Sequence, residues 1–204
     1  MTPQNEKTPT VFIVDDDAAI RFAMQALMDS VNLNHEIFAS GDEFLEKTTD
    51  QRPGCLVLDI RMPGLGGLEL QEELIKRGNT LPIIFITGHG DVPMAVDAMQ
   101  KGAVDFIQKP FRDQELLDRI REALATDEER REQQQHHAEV ANRLDRLTNR
   151  EREVFDLVVT GKPNKVIAYE LGVSQRTVEI HRARVMEKMQ ARSLADLVKM
   201  HMTA

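Results

Sequence analysis

The nonapeptide Leu56-Val57-Leu58-Asp59-Ile60-Arg61-Met62-Pro63-Gly64 decides how the rest of the chain is read. Three apolar residues run straight into a carboxylate, and a Pro-Gly pair breaks the chain at once. A short, uninterrupted apolar run of this kind is the signature of a strand buried on both faces, as in a parallel sheet. Asp59 then leaves the strand at its carboxyl end, where open α/β sheets place their chemistry. Taken alone, Asp59 could equally be a turn aspartate ahead of Pro-Gly. The other strand ends decide between the two.

Moving outward, four more segments have the same character. Thr10–Val14 (TVFIV) is β-branched and aromatic and ends in Asp15-Asp16-Asp17. His35–Ala39 is a short strand, Pro82–Ile86 (PIIFI) ends in Thr87-Gly88, and Val104–Ile107 ends at Lys109-Pro110. Between them apolar residues recur at three- and four-residue spacing: Ile20, Met24, Leu27, Met28 and Val31, then Leu68, Leu70, Leu74 and Ile75. A helix opens at the Ser40–Glu43 capping box, another at Asp91-Val92-Pro93, and a fifth carries Leu116, Leu117, Ile120 and Leu124. Strictly alternating strands and helices predict an α/β domain with a parallel sheet covered on both faces.

Such a sheet has all its strand ends at one edge, so Asp15, Asp16, Asp59, Thr87 and Lys109 are expected to converge. Neighbouring carboxylates repel by about 4 kcal/mol per pair at an effective dielectric of 20. They must take up protons or bind a cation. Hard oxygen donors with room for water suit Mg²⁺. A lysine and a hydroxyl facing that ion are what a transferred phosphoryl group needs, which makes Asp59 a candidate nucleophile. Asp17 is read as a helix cap, His89 as a loop residue between glycines, and Met24, Met28, Met94 and Met99 as core filler.

The set formed by Asp15-Asp16, the Asp59-Ile-Arg-Met-Pro-Gly segment, Thr87-Gly88 and Lys109-Pro110 resembles the receiver domain of bacterial response regulators. The resemblance covers about residues 10–127. It implies a flavodoxin-like sheet of order 2-1-3-4-5, with Mg²⁺ held by Asp16, Asp59 and the backbone carbonyl of Arg61, and by Asp15 mainly through water. It further implies that Thr87 and Lys109 contact a phosphoryl group on Asp59. The Lys109–Pro110 bond should be cis, and Phe106 should be a rotating aromatic near the output face.

The rest of the chain differs in composition. Residues 1–127 carry 12 Lys and Arg against 22 Asp and Glu, whereas residues 148–204 carry 10 against 7. An acidic front and a mildly basic back indicate two modules, of which only the second suits nucleic acid. Neither Gly nor Pro interrupts Arg112–Thr160. Residues 127–143 are polar on every face, so a solvated helix or tether is expected over 128–145, between a receiver at 9–127 and a terminal module at 146–204. The adjacent His136 and His137 point in different directions around a helix and are read as surface. Cys55 is the single cysteine, and its place in a strand makes it a small buried hydrophobe. The chain has no apolar run long enough to span a membrane and no signal-like N-terminus, so a cytoplasmic location is expected.

In the back module a Thr148–Glu151 capping box precedes Val154, Phe155, Leu157 and Val158. Asn164–Leu171, the turn Gly172-Val173-Ser174 and a longer helix to about Gln190 form a helix-turn-helix, and Ser193–Asp196 caps a fourth helix. Val178, Val185 and Met189 are expected inside, leaving Gln175, Arg176, Thr177, Glu179, Ile180, Arg182, Arg184 and Lys188 for DNA. This module resembles the LuxR-type DNA-binding domain, and NKVIAYELGVSQRTVEIHRARVMEKM is similar to the FixJ-type subgroup. In the NarL branch lysines stand where this chain has Glu179 and Ala183, so the base contacts of that branch do not transfer. Arg176, Glu179, Ile180 and Arg182 become the candidate base readers, and Lys165, Arg184 and Lys188 the candidate phosphate contacts.

The two resemblances together imply a response regulator phosphorylated on Asp59 by a sensor histidine kinase. Homodimerisation of the phosphorylated receiver, promoter DNA and RNA polymerase complete the expected partners. The alternatives are a phosphorylation-independent DNA-binding regulator with a vestigial receiver and a Mg²⁺-dependent phosphohydrolase. The spacing of Asp15-Asp16-Asp17 lacks the DxDx[TV] pattern of the latter.

Overall fold

The computed structural model describes residues 8–48, 52–88 and 92–203. The loop reading of His89 and the cap reading of Asp91 lie outside the described residues. Two compact units divide the chain, residues 1–130 and 131–204.

In the first unit the strands β1 (Thr10–Val14), β2 (His35–Phe38), β3 (Gly54–Asp59), β4 (Ile83–Thr87) and β5 (Asp105–Gln108) form one parallel sheet of order β2-β1-β3-β4-β5. Every residue of β1, β3 and β4 is buried, as the unbroken apolar runs require. The pleat divides their side chains between two cores. Phe12, Val14, Leu56, Leu58 and Phe85 pack under α2 (Gly41–Lys47), α3 (Gly67–Lys76) and α4 (Val92–Gln100). Val11, Ile13, Val57, Ile84 and Ile86 pack under α1 (Ala18–Ser30) and the first turns of α5 (Asp113–Asp145). Phe38 meets Phe44 edge-on, with ring centroids 5.2 Å apart.

Local signals act as read. Asp17 caps α1 by accepting from the Ala19 N–H at 2.8 Å. Ser40 accepts from the Glu43 N–H, while Glu43 reaches back to the Ala39 N–H at 2.7 Å. The fifth strand begins one residue later than expected. Two expected core residues face solvent: Ile75, near the end of α3, and Met99, near the end of α4. A glycine is required at the start of β3, where a Cβ on Gly54 would lie 1.9 Å from the Thr10 carbonyl oxygen. The buried N–H of that same residue is satisfied from afar: Asp127, on α5, accepts it at 2.9 Å and pairs with Arg130. Cys55 lies beside this bond, and burial pushes its thiol up to about 12, so it is inert as a nucleophile.

The second unit is all-helical, with α6 (Asn149–Val159), α7 (Asn164–Leu171), α8 (Gln175–Met189) and α9 (Leu194–Thr203). The Thr148–Glu151 capping box is formed with both hydrogen bonds. Gly172 ends α7 at φ 64°, and Ser174 caps α8. Val178, Val185 and Met189 lie in the core with Val154, Phe155, Ile167 and Leu197.

One expectation is corrected here. Residues 128–145 are helical, and Glu132–Glu139 are exposed, His136 and His137 among them. The segment is not solvated throughout, however: Val140 and Leu144 are buried in the second core. Their four-residue spacing places a narrow apolar stripe on the last turns of α5, and the partly buried Leu147 packs against the same cluster just past the helix end. A stripe only two turns long was hidden by the polar residues before it.

Candidate functional site

Parallel pairing brings Asp15, Asp59, Thr87 and Lys109 to the carboxyl edge of the sheet, as their positions just at or beyond the strand ends dictate. Asp59 stands level with Ile86 on β4, and Thr87 level with Gln108 on β5. One carboxylate oxygen from each of Asp15, Asp16 and Asp59 falls within 4.8 Å of the other two. Asp15, Asp59 and Thr87 are buried, whereas Asp16 is exposed. The Lys109 ammonium spans the inner pair, at 2.9 Å from Asp15 Oδ2 and 3.2 Å from Asp59 Oδ2. The Lys109–Pro110 peptide is cis.

The electrostatics follow from this crowding. Burial raises the Asp59 carboxyl above its usual range; Lys109 works against that shift, and the Asp15 charge adds to it. Burial alone would lower the Lys109 ammonium, but hydrogen bonds and charge from Asp15 and Asp59 leave it raised and firmly protonated. Lys109 thus pairs with two of the three clustered carboxylates, and the donor set of the cluster is oxygen throughout. That clustering of oxygen donors fits a small hard divalent ion such as Mg²⁺.

Two further residues hold the edge in shape. Arg21, one turn into α1, donates through Nη1 to the Asp15 carbonyl at 2.7 Å, and the Asp17 N–H donates to Asp15 Oδ1 at 2.8 Å. At the other side of Asp59, α3 starts so close that a Cβ on Gly67 would lie 2.3 Å from the Asp59 carbonyl oxygen. Sequence reading named neither Arg21 nor Gly67. Arg21 gave a faint signal, as a cation one helical turn beyond three aspartates; Gly67 resembled any other glycine of its loop. Phe106, the expected rotating aromatic, is partly exposed on β5 beside Phe85. Val96 and Met99 on α4 and Val104 just before β5 are exposed apolar residues.

In the second unit α8 presents Gln175, Arg176, Glu179, Ile180 and Arg184 to solvent, and Lys165 is exposed on α7. Thr177 is half-buried, its hydroxyl 2.9 Å from that of Ser174. Arg182 is also half-buried, and its Nη1 donates to Asn164 Oδ1 at 3.0 Å. Lys188, expected to be a phosphate contact, is engaged inside the unit instead. Its ammonium lies 2.5 Å from Glu151 Oε2 and 3.0 Å from the Arg146 carbonyl oxygen. The bond from Lys188, with the capping N–H of Thr148, holds the Glu151 carboxyl down at about 2. A buried carboxylate needs a partner, and Lys188 is the one that α8 supplies.

Comparison with known proteins accords with both units. Residues 11–121 match the response regulator receiver domain, and residues 145–201 match the bacterial regulatory proteins of the luxR family. Nodulation protein W of Bradyrhizobium diazoefficiens is 50% identical over 95% of this chain and 85% of its own length. The transcriptional regulatory protein FixJ of Azorhizobium caulinodans is 45% identical over 95% of this chain and 92% of its own. Among solved structures, that of the response regulator StyR has a TM-score of 0.89 and 44% identity, covering 97% of this chain and 100% of that one.

Proposed function

The chain belongs to the FixJ-type transcriptional response regulators, with a receiver domain ahead of a LuxR-type DNA-binding domain, and from that premise we propose that Asp59 is the residue a sensor histidine kinase phosphorylates. The observation that carries the assignment is the gathering of Asp15, Asp16, Asp59 and Lys109 at one sheet edge.

An Asp59 carboxylate oxygen attacks the phosphorus of a phosphohistidine, the P–N bond breaks, and the departing imidazole takes up a proton. Asp16, Asp59 and the Arg61 carbonyl, with Asp15 nearby, would hold Mg²⁺, which when bound would supply positive charge against the phosphoryl oxygens. Lys109 is already poised against Asp59 and neutralises a further oxygen. Thr87, at the next strand end, donates its hydroxyl to another. The modified side chain carries about −1.5 to −2 charges in place of one. Thr87 and Phe106 follow that change, and the exposed Val96, Met99, Val104 and Phe106 form the face on which two receivers pair.

Pairing doubles the DNA-binding units, which raises avidity by about 10²–10⁴ without a new base contact. Arg176, Glu179 and Ile180, with Gln175 and Thr177 at the helix start, are the readers on α8, and Lys165 and Arg184 grip phosphates. Promoter DNA and RNA polymerase are the resulting partners, and the cytoplasm is the compartment where all of these meet. Among the described residues no helix is long and apolar enough to cross a membrane. None of these observations favours a phosphohydrolase or a vestigial receiver.

The test is direct. Acetyl phosphate with Mg²⁺ labels the wild-type chain, chelation prevents it, and Asp59→Asn abolishes it. Label retained by that variant overturns the assignment.

A further inference from the structure

Arg182, a cation of α8, is tied down by a neutral amide, whereas Lys188 is tied down by a carboxylate. Arg182 stands four residues after Val178 and three before Val185, both fully buried. At 3.6 residues per turn its Cα lies only about 40° around α8 from Val178, whereas Arg176, Ile180 and Ala183 lie about 140–200° away. The side chain therefore leaves α8 on its flank. It runs to the first residue of α7, where Nη1 donates to Asn164 Oδ1 at 3.0 Å. Lys165, next along α7, is exposed. Arg176 shows the contrast: its side chain is 84% exposed, and its nearest carboxylate, on Glu179, is 4.0 Å away.

We propose that Asn164 is a positioning residue that holds the Arg182 guanidinium beside the start of α7, so that Arg182 grips a DNA phosphate and does not read a base edge. The proposal rests on the reading of α8 as the helix that enters the groove. In that setting side chains opposite the buried stripe meet base edges, while side chains on the flanks meet the walls of the groove, which are phosphates. A guanidinium has five donors in one plane; one to Asn164 fixes the plane and leaves the others for phosphate oxygens. The long side chain gives up its rotamer freedom when the protein folds, not when DNA binds. Sequence spacing alone had placed Arg182 among the readers, because it does not show which neighbour captures a flanking side chain.

The experiment uses the full chain activated with acetyl phosphate and Mg²⁺. Its probes are a pool of random-sequence duplexes and the duplexes that the wild type selects from that pool, each titrated at several salt concentrations. Arg182→Ala is expected to weaken selected and random DNA alike, by about tenfold or more, and to lower the salt slope by about one. Asn164→Ala is expected to cost about threefold to tenfold on both probes and nothing further in an Arg182→Ala background. Asn164→Asp keeps the acceptor but adds a negative charge, so its deficit relative to the wild type is expected to shrink as salt screens that charge. A collapse of the selected-to-random ratio in Arg182→Ala makes Arg182 a base reader and overturns the proposal. An Asn164→Ala loss that persists without Arg182 overturns the coupling. If Arg176→Ala, Lys165→Ala and Arg182→Ala all bind as the wild type does, the groove-entering role of α8 itself fails. Arg182→Lys, which keeps the charge but not the fork, serves if Arg182→Ala melts early: insensitivity to Asn164→Ala in that background supports the coupling, and sensitivity overturns it.

Discussion

Replacing Leu144 by alanine distinguishes a core residue from a linker residue. Leu144 is 6% exposed and belongs, with Val140, to the cluster built on Val154, Phe155, Val158 and Val185. Removing a buried leucine side chain forfeits its transfer free energy and leaves a cavity that the neighbours only partly fill, at about 2–5 kcal/mol. Leu144 retains slight exposure, so a mid-range cost of about 3 kcal/mol is expected. For a unit of this size each kcal/mol moves Tm by about 4–8 °C, so the helical transition of the second unit should fall by about 12–24 °C. The assay is thermal unfolding of the full chain by circular dichroism at 222 nm, with hydrogen exchange assigning the affected transition to residues 140–203. Gln134→Ala, on an exposed turn of the same helix, should stay within about 0.5 kcal/mol. If Leu144→Ala is as silent as Gln134→Ala, the last turns of α5 are not part of the second core and the reasoning fails.

Glu151 carries a pH signature. Its folded pKa, about 2 against an ordinary 4.5, is depressed, so its pairing with Lys188 stabilises the second unit above pH ~4.5 and is lost as pH falls toward 2; the stability gap between wild type and Glu151→Gln should close over that interval. Asp59 behaves oppositely. Its raised pKa means that ionisation costs the folded receiver stability at neutral pH, so without Mg²⁺ Asp59→Asn should melt higher than wild type, with a gain that shrinks as pH falls and Asp59 takes up its proton. Saturating Mg²⁺ should stabilise wild type more than Asp59→Asn, and equal responses would remove Asp59 from the ligand set. Asp127→Ala should cost about 2–3 kcal/mol and speed exchange of the Gly54 amide, which loses its acceptor. Gly67→Ala should slow acetyl-phosphate labelling, since a Cβ there collides with the Asp59 carbonyl and shifts Asp59 at the end of β3; unchanged labelling would show that the strand end tolerates the shift.

Sequence alone determined the α/β alternation, because runs such as Cys55–Leu58 and Ile83–Ile86 have no stable place except between two layers of helix. It also determined which side chains meet at the sheet edge, because parallel strands put all their carboxyl ends together. The caps at Asp17, Ser40, Thr148 and Ser174 were legible for a similar reason: each depends on residues within a few positions. Tertiary structure decided the long-range partners. Lys188 and Glu151 are 37 residues apart, Asp127 and Gly54 are 73, and Arg182 and Asn164 are 18. Periodicity says which face of a helix a side chain leaves, but a long, flexible cation or a buried carboxylate pairs with whatever the packed fold brings within about 3 Å. Val140 and Leu144 show the same limit: two apolar residues on a polar helix become core only when another helix arrives to cover them.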